Sequence, residues 1–269
     1  GPLYHRAMLA GTTGADGRPR GSRRLPVAAA RLLLAAASSL AAASPPGPAP
    51  ERPGPLSQAV LDSWGAGQGL PQNTVQAIAQ TPDGYLWVGT QEGLVRFDGA
   101  RFTVFDRRST PALTVNAVLS LLVDPDGTLW IGTNGGGLLR MKGERFDAVG
   151  PKAGLTGRKI QALALDGRGT LWVGTDDEGL FRLEEGGFRR VFSGEGGRPL
   201  LVRTLCVDGA GVVWAGTTES GVTRFAPGGP ESFTSRNGLP NDSAFALAPH
   251  PGGGVWAGTT AGLARLEGD

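Results

Sequence analysis

Apolar and polar residues alternate in short bursts along most of this chain, and the bursts recur in a fixed order. "VQAIAQ" (75–80) leads through the turn "TPDG" to "LWVGT" (86–90). After a short polar break come "GLVRFD" (93–98) and a more polar run, "RFTVF" (101–105). Runs of five or six residues have the length of strands and leave no room for helices of ten or more. The first run returns as "VLSLLVD", "IQALALD", "VRTLCVD" and "AFALAPH", and the turn as "DPDG", "DGRG", "DGAG" and "HPGG". The glycines in those turns permit the positive φ of a tight reversal. The second run returns as "LWIGT", "LWVGT", "VWAGT" and "VWAGT", with Trp87, Trp130, Trp172, Trp214 and Trp256 spaced 43, 42, 42 and 42 residues apart.

Four strands in a period of this size make one blade of antiparallel sheet. The pattern predicts an all-β chain, a β-propeller of five blades of about 42 residues. They run from about 73–106, 116–149, 158–193, 200–235 and 242–269. Side chains alternate along a strand, so in "LWVGT" Trp87 and Gly89 share one face while Leu86, Val88 and Thr90 share the other. A blade has a neighbour on each face and needs apolar residues on both. The five tryptophans are therefore read as structural: an indole beside a glycine fills the gap between sheets that approach closely. The last blade stops after its third strand, "GLARLE". "AVLDSWG" (59–65) stands the same 11 residues ahead of the first inner strand, from Trp64 to Val75, as Phe233 stands ahead of Ala244. It is expected to supply the missing outer strand and close the ring, which would hide the sheet edges.

The stretch "GLPQNTVQAIAQTPDGYLWVGTQEGLVRFDG" resembles the two-component regulator propeller repeat of periplasmic bacterial sensors. The "GLP" lead-in occurs at 69–71 and 238–240 and weakly as "GLT" at 154–156, and the [LV]-W-[VIA]-G-T core stands in all five periods. The resemblance covers 56–269. It implies a sensor region whose family norm is seven blades, joined to a membrane helix and a histidine kinase or diguanylate cyclase output. The residues for that output chemistry are not in this chain, which reads as the N-terminal portion of a receptor or a short stand-alone relative.

Charge changes the picture only at the start. Residues 1–55 carry seven basic and two acidic residues, leaving the repeats with 19 basic and 22 acidic ones. A nucleic-acid footprint needs cations concentrated on the folded domain, so no nucleic-acid partner is expected. "RPRGSRR" before an Ala/Leu-rich run ending at "AAA" (41–43) reads as a signal peptide or leader over 1–43, the plainer alternative being an Ala/Pro-rich tail. A Pro-rich linker follows over 44–55. The apolar run Leu32–Ala43 is shorter than the roughly 20 residues of a membrane span. A periplasmic or secreted location is expected, with no membrane span in this chain.

Little chemistry is visible. The chain has two histidines, His5 in the leader and His250 in a turn, and one cysteine, Cys206, which excludes an intrachain disulfide and reads as a small buried thiol. Asp124, Asp166 and Asp208 recur just before the turn and read as turn caps rather than metal ligands. No metal, no cofactor and no catalytic set is expected. The acidic groups Asp176-Asp177-Glu178 and Glu184-Glu185 would serve a hydrolase or lyase only if they converged, and solvated loops are the plainer reading.

A propeller brings its 4→1 and 2→3 loops to one face around the channel mouth, where several blades can share a ligand. The candidates before the inner strands are Gln72, Asn73, Asn116, Arg158, Lys159, Asn241 and Asp242. Those in the 2→3 loops are Gln91, Glu92, Asn134, Asp176, Asp177, Glu219 and Ser220. Amides with a few charges suit a small polar ligand such as an oligosaccharide, or a protein partner. Asn73 and Asn116 share a repeat position, which also suits turn capping. The sensor reading thus stands beside a secreted binding or scaffold propeller and, more remotely, a propeller enzyme acting on glycans.

Overall fold

The computed structural model describes residues 61–193 and 200–267; the leader and linker expected over 1–55 lie outside them. The described strands form four four-stranded antiparallel sheets and one of three strands, each in chain order. Blade one consists of Val75–Gln80, Leu86–Thr90, Gly93–Phe97 and Phe102–Phe105. Blades two, three and four repeat this plan from Val118, Ile160 and Val202, and blade five holds Ala244–Pro249, Val255–Thr259 and Gly262–Leu266. The first strand of each blade packs on the first strand of the next, from blade one through blade five. No such packing joins blade five back to blade one among the described residues, so the described blades form an open arc.

The glycine of the tryptophan strand sets how closely two blades meet. A Cβ on Gly174 would stand 2.5 Å from Val202 Cγ1, and one on Gly216 3.0 Å from the Ala244 carbonyl oxygen, each the first inner-strand residue of the next blade. Beside each contact lies a leucine from the connector leading into the next blade: Leu113, Leu155, Leu200 or Leu239, all nearly fully buried. Trp87, Trp130, Trp172 and Trp214 are at most 8% exposed. Trp256, whose face meets no following blade among the described residues, is 37% exposed, and a Cβ on Gly258 would meet nothing closer than Ala246 of its own sheet at 3.6 Å.

Each turn aspartate does two jobs. One carboxylate oxygen caps the turn: Asp166 Oδ1 accepts from the backbone N–H of Arg168 and of Thr170, as Asp208 Oδ1 does from Ala210 and Val212. The other oxygen accepts the indole N–H of that blade's tryptophan, at 2.9 Å for Asp124–Trp130 and Asp166–Trp172 and 2.8 Å for Asp208–Trp214. A buried indole N–H left without a partner would cost about 1–3 kcal/mol, so the clasp fixes the ring as well as the turn. In blade one Thr81 Oγ1 takes the aspartate's place. In blade five His250 keeps the turn cap, accepting from the Gly252 N–H, and lays its ring edge-on to Trp256 at 5.6 Å.

The closing strand is not seen. Residues 59–60 lie outside the described residues, and 61–65 form no strand. Trp64 packs against Phe97 of blade one, ring centroids 5.2 Å apart, instead of extending blade five. The physical reason is that no blade among the described residues covers the first blade's leading face. Leu70, the connector leucine of this blade, already lies there against Val88 and Val95, and Trp64 adds to that cover.

Candidate ligand-binding face

The 2→3 loops and the 4→1 connectors do share one face, because the backbone stitches them together. Asp176 N–H donates to the Lys159 carbonyl and Thr218 N–H to that of Leu201, each tying a loop to its own blade's lead-in. Gly135 N–H reaches the Arg158 carbonyl, and Gly221 N–H that of Asp242, across to the next blade.

Much of the polar content at this face holds the connectors. Asn73 Oδ1 accepts from the Ala66 N–H, Asn116 Oδ1 from that of Arg107, and Asp242 Oδ1 from that of Ser235. Gln72 is turned onto Thr74, and Asn241 accepts from the Ser243 N–H and the Thr260 hydroxyl. Asp177 Oδ2 accepts from the backbone N–H of Arg158 and Lys159. Arg158 Nε donates to the Gly135 carbonyl, and Asn134 bridges to Lys159. Glu92 meets Asn116 Nδ2 at 3.4 Å, while Gln91, Glu219 and Ser220 are exposed on their loops.

One set of residues at this end was not among the sequence candidates. Every inner strand slips register between its first and third residues. The second residue is left unpaired: Gln76, Leu119, Gln161, Arg203 and Phe245. A β-bulge of this kind re-aims a side chain away from the two faces of the sheet. On the innermost strand of a propeller, that direction is the axis. All five are half-buried, and those of blades three, four and five are linked across blades. The Arg203 guanidinium lies over the Phe245 ring at 5.7 Å, and its Nη1 stands 3.5 Å from Asp176 Oδ2, which Gln161 Nε2 approaches at the same distance. Asp176 is therefore the sequence candidate brought to the axis, by two residues that sequence reasoning passed over.

The acidic groups do not converge. Asp176 and Asp177 lie in the loop ahead of the third strand of blade three, Leu180–Glu184, and Glu184 ends that strand, a rise of roughly 13–16 Å for five residues. Glu184 is held by Arg189 and Arg182, which draw its carboxyl from the ordinary 4.5 to about 2. His250 sits in a turn at the end of its blade away from the connector face. Cys206 is buried beside Trp214 and Val255, and burial pushes its thiol up to about 12, away from any nucleophilic form.

The profile of the two component regulator propeller family matches residues 69–92, 112–135 and 154–177, each match running from a connector through the tryptophan strand. These are two component regulator propeller repeats. Among solved structures, the extracellular domain of a hybrid two component system from B. thetaiotaomicron is 22% identical with a TM-score of 0.59, covering 72% of this chain and 27% of that one. PorZ of Porphyromonas gingivalis, a surface component of the type-IX secretion system, is 19% identical with a TM-score of 0.59, covering 74% and 32%. Virginiamycin B lyase from Staphylococcus aureus is 13% identical with a TM-score of 0.53, covering 72% and 69%. At these identities the likeness shows the propeller fold. The chain spans about a quarter to a third of the first two proteins' length. No curated protein matches it. The repeats' structural relatives include extracellular domains, and no described helix is long and apolar enough to cross a membrane.

Proposed function

We propose that this chain is the exported, ligand-sensing propeller of a two-component-type receptor, binding a small polar ligand at its connector face. Occupancy there biases a kinase or cyclase module elsewhere in the receptor. The observation that supports the reading is the set of contacts by which bulged Arg203 meets Phe245 of the next blade and shares Asp176 with bulged Gln161, at the end where the family's repeats join blade to blade. Binding is favoured over glycan catalysis by the separation of Asp176 from Glu184 along a full strand. Bound ligand, found by screening an oligosaccharide panel, is expected to slow amide exchange in the connectors and at 161, 176 and 203. Protection confined to the opposite turns, such as 166–170 and 208–212, would defeat the assignment of the face.

A propeller with no attached output is the second reading, supported by the likeness to PorZ, a secretion-system surface component. A kinase or cyclase domain in the same reading frame would decide against it.

A further inference from the structure

Position two of the inner strand changes chemical class from blade to blade while the positions on either side of it do not. Position one is Val, Val, Ile, Val and Ala, and position three is Ala, Ser, Ala, Thr and Ala, all small or β-branched. Position two reads Gln, Leu, Gln, Arg and Phe. The fold makes the same bulge with each of these side chains, so it does not require a cation at 203.

Arg203 is also incompletely engaged. Among the described residues its carboxylate contact, to Asp176, is 3.5 Å long, against roughly 2.7–2.9 Å for a committed charge-assisted hydrogen bond. Both side chains stay about a fifth exposed. A guanidinium presents five donors in a planar fork that matches a carboxylate two-on-two. The ring of Phe245 under it offers apolar surface, and Gln161, which shares Asp176 with it, offers an amide that donates to and accepts from hydroxyls.

We propose, building on the connector-face reading, that the axial site recognises a carboxylate carried on a ring with an apolar face. Arg203 takes the carboxylate, Phe245 supports the ring, and Asp176 is the internal anion that the ligand displaces from Arg203. Two sources share this chemistry, uronate sugars and aromatic acids, and paired probes separate them.

Calorimetry on the whole chain would compare a galacturonate trimer with the galactose trimer, and cinnamate with cinnamyl alcohol. One acid is expected to bind about tenfold or more tightly than its neutral partner, as a bidentate charge-assisted contact implies. Arg203→Gln should bring the acid down to the neutral level, and Arg203→Lys should keep part of the preference. Asp176→Asn should tighten acid binding several-fold by removing the internal competitor, a gain that a misfolded variant cannot mimic. Equal binding of acid and neutral partner, a preference that survives Arg203→Gln, or no binding of either acid would each overturn the proposal. Should the galactose trimer bind and be lost in Phe245→Ala with no acid preference, the carboxylate inference falls while the connector-face reading stands.

Discussion

Blades four and five contain the same five residues, "VWAGT", at 213–217 and 255–259. In blade four Trp214 is completely buried, its indole N–H held by Asp208 and its ring stacked 5.6 Å from Phe233. In blade five Trp256 is 37% exposed, and Leu263 on the neighbouring strand is 66% exposed. The difference lies outside the motif. Ala244 of the following blade presses on Gly216, and nothing equivalent stands against Gly258. The pentapeptide therefore encodes half of an interface, and the other half is the leading face of the next blade. A stability argument for repeat proteins has to count both halves, since each unit buries its faces only against neighbours.

That contrast can be stressed by substitution. Trp214→Ala should cost about 3–5 kcal/mol, the usual range for emptying a large buried aromatic site, and Trp256→Ala about 1 kcal/mol or less. Urea unfolding of the two variants checks this, and similar losses would remove the distinction between the blades. Asp208→Ala leaves the Trp214 N–H and two turn N–H groups without their acceptor and should cost about 2–4 kcal/mol. His250→Ala, which removes only a turn cap and an edge contact, should cost about 1 kcal/mol or less by the same measurement. Gly216→Ala forces a methyl to 2.7 Å from Thr204 Cγ2 and should cost about 1–3 kcal/mol, whereas Gly258→Ala should be nearly neutral.

The smallest expected effect concerns acid. Arg189 and Arg182 hold the Glu184 carboxyl near 2, below its ordinary 4.5. A folded value below the unfolded one means the stabilisation is fully present above the ordinary value. It is lost as the pH falls from about 4.5 toward 2. Glu184→Gln should flatten that part of the stability–pH curve and leave the neutral region little changed, as urea midpoints at pH 6 and pH 3 would report. An unchanged acid limb would show that other carboxylates carry it.

The blades were legible in the sequence because strand alternation and turn glycines are local, and a 42-residue period repeats them five times. The described residues 61–65 form no strand, and the converse reason explains why spacing did not foretell it. Spacing alone puts Trp64 where an outer strand belongs, but which sheet face an indole packs on depends on which faces are vacant, and Phe97 was available. At the connector face, Asn73, Asn116 and Asp242 look like ligand-binding residues because a side chain that caps a backbone N–H has the same composition as one that faces a ligand. The axial residues were hidden because a bulge is a property of register between two strands. Its trace in the sequence is a non-repeating position, Gln76, Leu119, Gln161, Arg203 and Phe245, between two that repeat. The turn aspartates were read as caps, and they are; the tryptophan clasp made by their second oxygen needed coordinates.

Whether the trailing face of blade five is an uncovered half-interface can be measured directly by iodide quenching of tryptophan fluorescence. In a Trp64→Phe background, which removes the other exposed indole, the quenchable signal should come from Trp256. It should vanish in Trp256→Phe and persist in Trp214→Phe. An unquenchable Trp256, or equal losses in the two variants, would contradict the account by showing that the last blade is covered as fully as the fourth.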